Sequence, residues 1–287
     1  MTAKLIDVGV YADWNVPRTS KGFDQWERDL RWLKSLGVSD VVIGLADAAQ
    51  GPPDSILDSL VRRADVCRMV TRSWAIGIAP WLMTWAYRDR QWVETILPKL
   101  KDLQVESGAL GRLLDCEGGI MRASGGFGVG MTTWEFADTV VDLMGDGRWG
   151  ITGLATLVTP LRELASASGL CIPQPLSVWE SDAHFERRKS RSSHPDTLRP
   201  IRGGPPPKLQ IDSFESWEEY VPGYRIELEI GAYYQNRPGM DREECFTRQL
   251  QAAVDLGTRR VWLWSLKNMK ANRWTEEIVG EYTGAIQ

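Results

Sequence analysis

Asp115 and Glu117 are two carboxylates two positions apart, preceded by the apolar pair Leu113-Leu114 and followed by Gly118-Gly119. Side chains alternate along a strand, so both acids lie on one face of it. Carboxylates brought together in a water-poor site repel; one keeps its proton and the other stays ionised. An acid beside a charge stabiliser is the pair that glycosidic bond hydrolysis needs. The ordinary alternative is a strand-end carboxylate that caps the next helix. Asp7, in the run Ile6-Asp7-Val8, adds a third charge inside an apolar strand, where charges are seldom buried without a partner or a task.

These acids need a scaffold that brings strand ends together. Short apolar segments alternate with amphipathic ones along the chain, the pattern of a parallel sheet with helical crossovers. The spacing predicts strands over 5–11, 41–45, 74–82, 110–117, 149–157, 170–179, 226–234 and 260–265. Between them it predicts a helix carrying Trp26, Leu30, Leu33 and Leu36 that stops at Gly37, then helices over 54–71 and 89–103. A further helix is capped by Thr132 or Thr133 and ends near Gly145, and others span 160–167, 242–256 and 275–282. Eight strand-helix repeats make a (β/α)8 TIM barrel, whose active sites lie at the C-terminal ends of the strands. An open doubly wound sheet is the alternative, but the Gly-x-Gly-x-x-Gly of a dinucleotide-binding first turn is absent.

With 287 residues, 43% of them hydrophobic, the chain suits one barrel domain spanning 1–287. A formal charge of -4 and a pI near 5.4 give no general attraction to nucleic acid or anionic membrane. No run of about 18 apolar residues is long enough to span a bilayer, and the opening residues lack a signal-peptide core. The expectation is synthesis in the cytoplasm, with action elsewhere only after release. Cys67, Cys116, Cys171 and Cys245 read as reduced, buried thiols. Residues 181–211, with their basic run, break the rhythm as a long loop after the sixth strand, either a lid over the mouth or a solvated insertion.

No metal or organic cofactor is expected. His184 and His194 are the only histidines, and no cluster has metal-ligand spacing. The glycine-rich stretch from Ser124 to Gly130 lacks the Lys-Ser/Thr of a phosphate-binding loop, and no Gly-x-Ser-x-Gly elbow is present. Tyr11, Trp14, Asp47, Trp81, Trp85, Trp179, Glu180, Tyr234, Gln235, Trp264 and Asn268 fall at or after strand ends and are candidates to line a substrate cleft. Each such residue alone is more often packing or a cap. Glu229 is a rival nucleophile, although the face it shares with Glu227 reads equally well as solvated.

Leu5-Ile-Asp-Val-Gly-Val-Tyr11 resembles the first strand of glycoside hydrolase family 25 muramidases, and Leu113-Leu-Asp-Cys-Glu-Gly118 resembles that family's Asp-x-Glu signature. Gly150-Ile-Thr-Gly153 and Gln174-Pro-Leu-Ser-Val-Trp179 are similar to its fifth- and sixth-strand segments. The resemblance implies a diverged lysozyme-like barrel, such as a phage endolysin or a virion-associated hydrolase. The resemblance also implies action on peptidoglycan or another N-acetylated glycan, with the cell wall reached by lysis, by a holin or within a virion. It further implies Glu117 as general acid, Asp115 as charge stabiliser, with the substrate acetamido group as the attacking nucleophile, and Asp7 holding Asp115 charged. Two alternatives remain: a catalytically inactive carbohydrate-binding or virion structural barrel, and a phosphate-handling barrel enzyme. For the latter, Arg237-Pro-Gly239 and Lys267-Asn268 are poor phosphate cradles.

Overall fold

Alternation along each strand separates two environments. In β1 (Asp7–Ala12), Val8, Val10 and Ala12 pack outward into the large apolar layer beneath the helices, while Tyr11 faces a second, smaller cluster. The same division recurs in β2 (Asp40–Gly44), β3 (Ala79–Trp85), β4 (Gly111–Asp115), β5 (Trp149–Thr152), β6 (Leu170–Ile172), β7 (Leu228–Gly231) and β8 (Arg260–Trp264). A computed structural model describes residues 5–12, 16–45, 62–116, 130–152, 164–172, 190, 227–231, 242–255 and 257–285.

The eight strands are all parallel, in the order β6-β5-β4-β3-β2-β1-β8-β7. The two end strands meet where the Glu227 N–H, just before β7, donates to the Cys171 carbonyl of β6 at 2.9 Å. The sheet therefore curls into the (β/α)8 barrel that the repeat pattern predicts, with the small cluster of Tyr11, Val42, Trp81, Met83, Leu113, Leu170, Ile172 and Trp262 inside it.

The crossovers start and stop where their caps dictate. α1 (Ser20–Ser35) begins at Thr19, whose side chain accepts from the Gly22 N–H, and buries Phe23, Trp26, Leu30 and Leu33 on one stripe. α2 (Arg63–Ile76) and α3 (Arg90–Ser107) end at glycines in the left-handed region, Gly77 and Gly108. α4 (Thr133–Met144) opens with a capping box in which Thr132 and Glu135 satisfy each other's backbone N–H groups. α5 (Arg242–Asp255), α6 (Leu266–Ala271) and α7 (Trp274–Thr283) complete the outer layer among the described residues. Cys116, Cys171 and Cys245 are buried and Cys67 is half-buried, and none of the four is in a disulfide.

Three expectations need correction. Trp74 belongs to the last turn of α2 and is exposed; the strand begins only at Ala79, past the Gly77 cap. The short helix α6 was not predicted. The face shared by Glu227 and Glu229 is not solvated but points into the barrel, where both are buried. Apart from Ser190, the 181–211 segment lies outside the described residues, as do the far parts of the predicted strands after β5, β6 and β7.

Candidate active site

Two polar layers are stacked within the barrel. The lower one is a closed floor. The Arg260 guanidinium lies 3.0 Å from Asp40 and 3.6 Å from Glu227, and all three side chains are buried. The Trp81 indole N–H donates to Asp40 at 3.0 Å, and that of Trp262 donates to Glu227 at 2.6 Å. The two indoles meet edge to face with centroids 5.9 Å apart. Their bulk is accommodated by glycine: a Cβ at Gly9 would sit 2.5 Å from the Trp262 ring, and one at Gly111 would sit 2.5 Å from that of Trp81. Burial raises the proton affinity of Glu227, while Arg260 and the Trp262 N–H oppose that shift.

The upper layer faces the C-terminal mouth. The Tyr11 hydroxyl from β1 lies 2.7 Å from the Thr152 hydroxyl of β5, and Thr152 donates to Glu229 of β7 at 3.0 Å. Asp115, the last residue of β4, pairs in register with Thr152 on one side and with Trp85 on the other. Asp115 is 2% exposed and Glu229 3%. Burial pushes the Tyr11 hydroxyl well above its ordinary pKa; the charge of Glu229 adds to this, as do those of Asp115 and Glu227, against a lowering contribution from Thr152. Tyr87, packed edge-on against Trp92 just beyond β3, is raised by burial and then by Asp115, and so is the buried Cys116 thiol. In each case burial is the larger cause and Asp115 adds to it.

Among the predicted residues, Asp115 and Tyr11 come together here. Trp264 ends β8 with its ring 5.1 Å from that of Tyr11, and both Trp264 and Trp85 are half-buried at the mouth. Asn268 lies on α6 directly after β8, its side chain on Ser265 at 3.5 Å. Trp81 is corrected from cleft lining to floor: its indole has no exposed surface, so no face is left for a sugar ring. Asp7 is corrected as well. It is the first residue of β1, paired with the first residue of β8, so it lies at the N-terminal end of the barrel. Four residues of strand, about 13 Å, separate it from Tyr11, and it cannot hold Asp115 in one cleft. Glu117, Trp14, Asp47, Trp179, Glu180, Tyr234 and Gln235 lie outside the described residues.

Thr152 and Tyr87 were not anticipated. Thr152 carried a readable signal, a lone polar residue on the inward side of an apolar strand at its C-terminal end. Tyr87 carried none, because it follows the strand.

No family model matches the chain, and a search of curated proteins finds no match. Solved structures similar to it include three that cover nearly the whole chain. A class V chitinase from Pseudomonas fluorescens Pf-5 has a TM-score of 0.53 at 13% identity, over 96% of this chain and 99% of that one. A glycoside hydrolase family 18 N-acetylglucosaminidase from Paenibacillus barengoltzii has 0.53 at 9% identity, over 98% and 100%. An endo-1,4-β-mannanase from Rhizomucor miehei has 0.53 at 9% identity, over 98% and 94%. At such identities the likeness is one of fold.

Proposed function

We propose that the protein is a glycoside hydrolase acting on an N-acetylated polysaccharide, with the glycan strands of peptidoglycan as its substrate. The observation that carries this reading is the buried carboxylate of Asp115 at the C-terminal end of β4, set among Tyr11, Thr152 and Glu229. Glu117, two residues on in the sequence, lies outside the described residues and enters this reading from the sequence alone. In this mechanism Glu117 is the general acid that protonates the glycosidic oxygen. Asp115 stabilises the cationic centre and orients the substrate acetamido group that attacks the anomeric carbon; water then opens the cyclic intermediate. Trp264 and Trp85 offer aromatic surface for sugar rings at the mouth. Two of the three similar barrels carry chitinase and N-acetylglucosaminidase in their names, which accords with an N-acetylated substrate.

The alternative is a barrel that binds glycan without turnover. A substrate panel separates the two: purified peptidoglycan, chitin oligosaccharides and mannan, with mass spectrometry of the new reducing ends. Cleavage leaving N-acetylmuramic acid at the reducing end supports a muramidase. Cleavage of chitin oligosaccharides alone moves the substrate to N-acetylglucosamine polymers, and binding without cleavage favours the inactive barrel.

A further inference from the structure

Among the described residues the large hydrophobic side chains that face solvent are Leu5, Trp74, Val105 and Trp134. Leu5 precedes β1, and Trp74 and Val105 occupy the last turns of α2 and α3, so these three lie at the N-terminal end of the barrel. The Trp74 indole N–H donates to the Gly108 carbonyl at 2.9 Å, which accounts for its place there. Trp134 stands at the opposite end. The Arg112 guanidinium, at the start of β4, donates to the Met144 carbonyl at 2.6 Å, so α4 ends at the bottom of the barrel and its first turn, with Trp134, lies at the mouth. Trp134 is 46% exposed, and among the described residues its indole has no hydrogen-bond partner and no ring against it.

A continuous rim joins this ring to Asp115. Trp85 is the in-register neighbour of Asp115, and the Ala86 N–H donates to the Asp115 carbonyl at 2.8 Å. The chain then passes through Tyr87 and Arg88 to Asp89, the N-cap of α3, which forms an antiparallel bridge with Gly130. The Met131 N–H donates to the Arg88 carbonyl at 3.0 Å, and the Arg88 guanidinium donates to the Thr133 hydroxyl at 3.1 Å. The start of α4 is thereby fixed to the segment that leaves Asp115.

We propose that Trp134 is an outlying subsite on which a long N-acetylated glycan stacks one sugar ring after leaving the cleft past Trp85. This rests on the glycan reading above and gives the bound chain a direction, outward between β3 and α4. A lone indole is far smaller than the roughly 800 Å² per partner of a stable protein interface. A flat apolar face with one N–H at its edge does match the size and chemistry of a single sugar ring. Beside it, Glu135 lies 3.5 Å from Arg90, and Arg90 lies 3.4 Å from Glu94; all three are exposed. Two carboxylates to one guanidinium offer hydrogen bonds to sugar hydroxyls and no excess positive charge to draw nucleic acid. Because α4 belongs to the layer outside the strands, a short oligosaccharide held at Asp115 stops before Trp134 and a longer one reaches it.

The test is calorimetric binding of the disaccharide and the octasaccharide of peptide-free peptidoglycan strands, with chitin oligosaccharides of both lengths as a second series. Full-length Glu117→Gln is the parent, so that the sugar is not consumed, and Trp134→Ala and Trp134→Phe are added to it. The expected result is octasaccharide affinity about three- to tenfold weaker in Trp134→Ala, mostly kept in Trp134→Phe, with the disaccharide unaffected. Equal octasaccharide affinity in parent and Trp134→Ala overturns the subsite and leaves the hydrolase reading standing. An equal loss at both lengths, or a loss in Trp134→Phe as large as in Trp134→Ala, also overturns it. So does a change of oligomeric state in Trp134→Ala by sedimentation velocity, which makes the ring a protein contact. Glycans that are neither bound by the parent nor cleaved by wild type remove the glycan reading and the subsite with it.

Discussion

The Tyr11 hydroxyl of β1 and the Thr152 hydroxyl of β5 meet at 2.7 Å across the barrel interior, spanning strands four apart in the sheet order. This contact ties β1 to β5 beside Asp115, the in-register neighbour of Thr152, and it makes Tyr11 a reporter on the site.

Tyr11 should govern the alkaline limit of stability. Its folded-state pKa lies above the ordinary value of 10.0, so the native state keeps a proton that the unfolded chain gives up. The contribution is full below about pH 10 and is lost as pH rises through the folded value. Tyr87 and Tyr282 shift in the same direction. Urea midpoints should begin to fall near pH 9, where the Cys116 and Cys67 thiols ionise in the unfolded chain but are held protonated by burial in the fold, and fall more steeply above 10; Tyr11→Phe should make the steeper part shallower. An equally steep fall in the variant would assign it to other groups.

The glycine at position 9 exists for Trp262. With the new Cβ 2.5 Å from a ring clamped by its bond to Glu227, Gly9→Ala should cost about 1–3 kcal/mol through overpacking. The same change made together with Trp262→Leu should cost less than it does alone. Strictly additive losses in denaturant unfolding would show that the two positions do not interact.

Arg260 neutralises a floor that otherwise holds two buried carboxylates. Arg260→Met leaves Asp40 and Glu227 without their cation and should destabilise the fold by about 3–5 kcal/mol near neutral pH. Because burial raises the proton affinity of Glu227 and Arg260 no longer opposes it, that carboxylate takes up a proton and the deficit should narrow between pH 7 and pH 5. A loss of the same size at both pH values would mean that packing, not charge, is what Arg260 supplies.

The barrel was legible because its signal is repeated: eight apolar strands separated by helical stripes, with Gly37 and the Thr132 capping box marking boundaries that the structure keeps. The third strand was misplaced because Trp74-Ala-Ile-Gly-Ile78 is one apolar run containing both the end of a helix and the approach to a strand; only the Gly77 cap divides them. Alternation puts Asp7 and Tyr11 on one side of β1, and Tyr11 faces the inner cluster, yet alternation says nothing about which end of the barrel a residue occupies. For that the strand start is needed, and a charge in its first position belongs to the bottom. Glu227 and Glu229 were ambiguous for a related reason: a polar face is solvated in an open sheet but buried in a closed one, and closure depends on pairing far along the chain.

The central claim is that Glu117 and Asp115 hydrolyse glycans, and its most direct test compares wild type with Glu117→Gln on purified peptidoglycan, measuring release of reducing ends alongside sedimentation with the sacculus. The expected result is cleavage by wild type, a loss of about 10²–10⁴-fold in turnover in the variant, and undiminished binding by both. Equal cleavage by the two proteins would contradict Glu117 as the acid, and binding without cleavage by wild type would contradict hydrolysis itself.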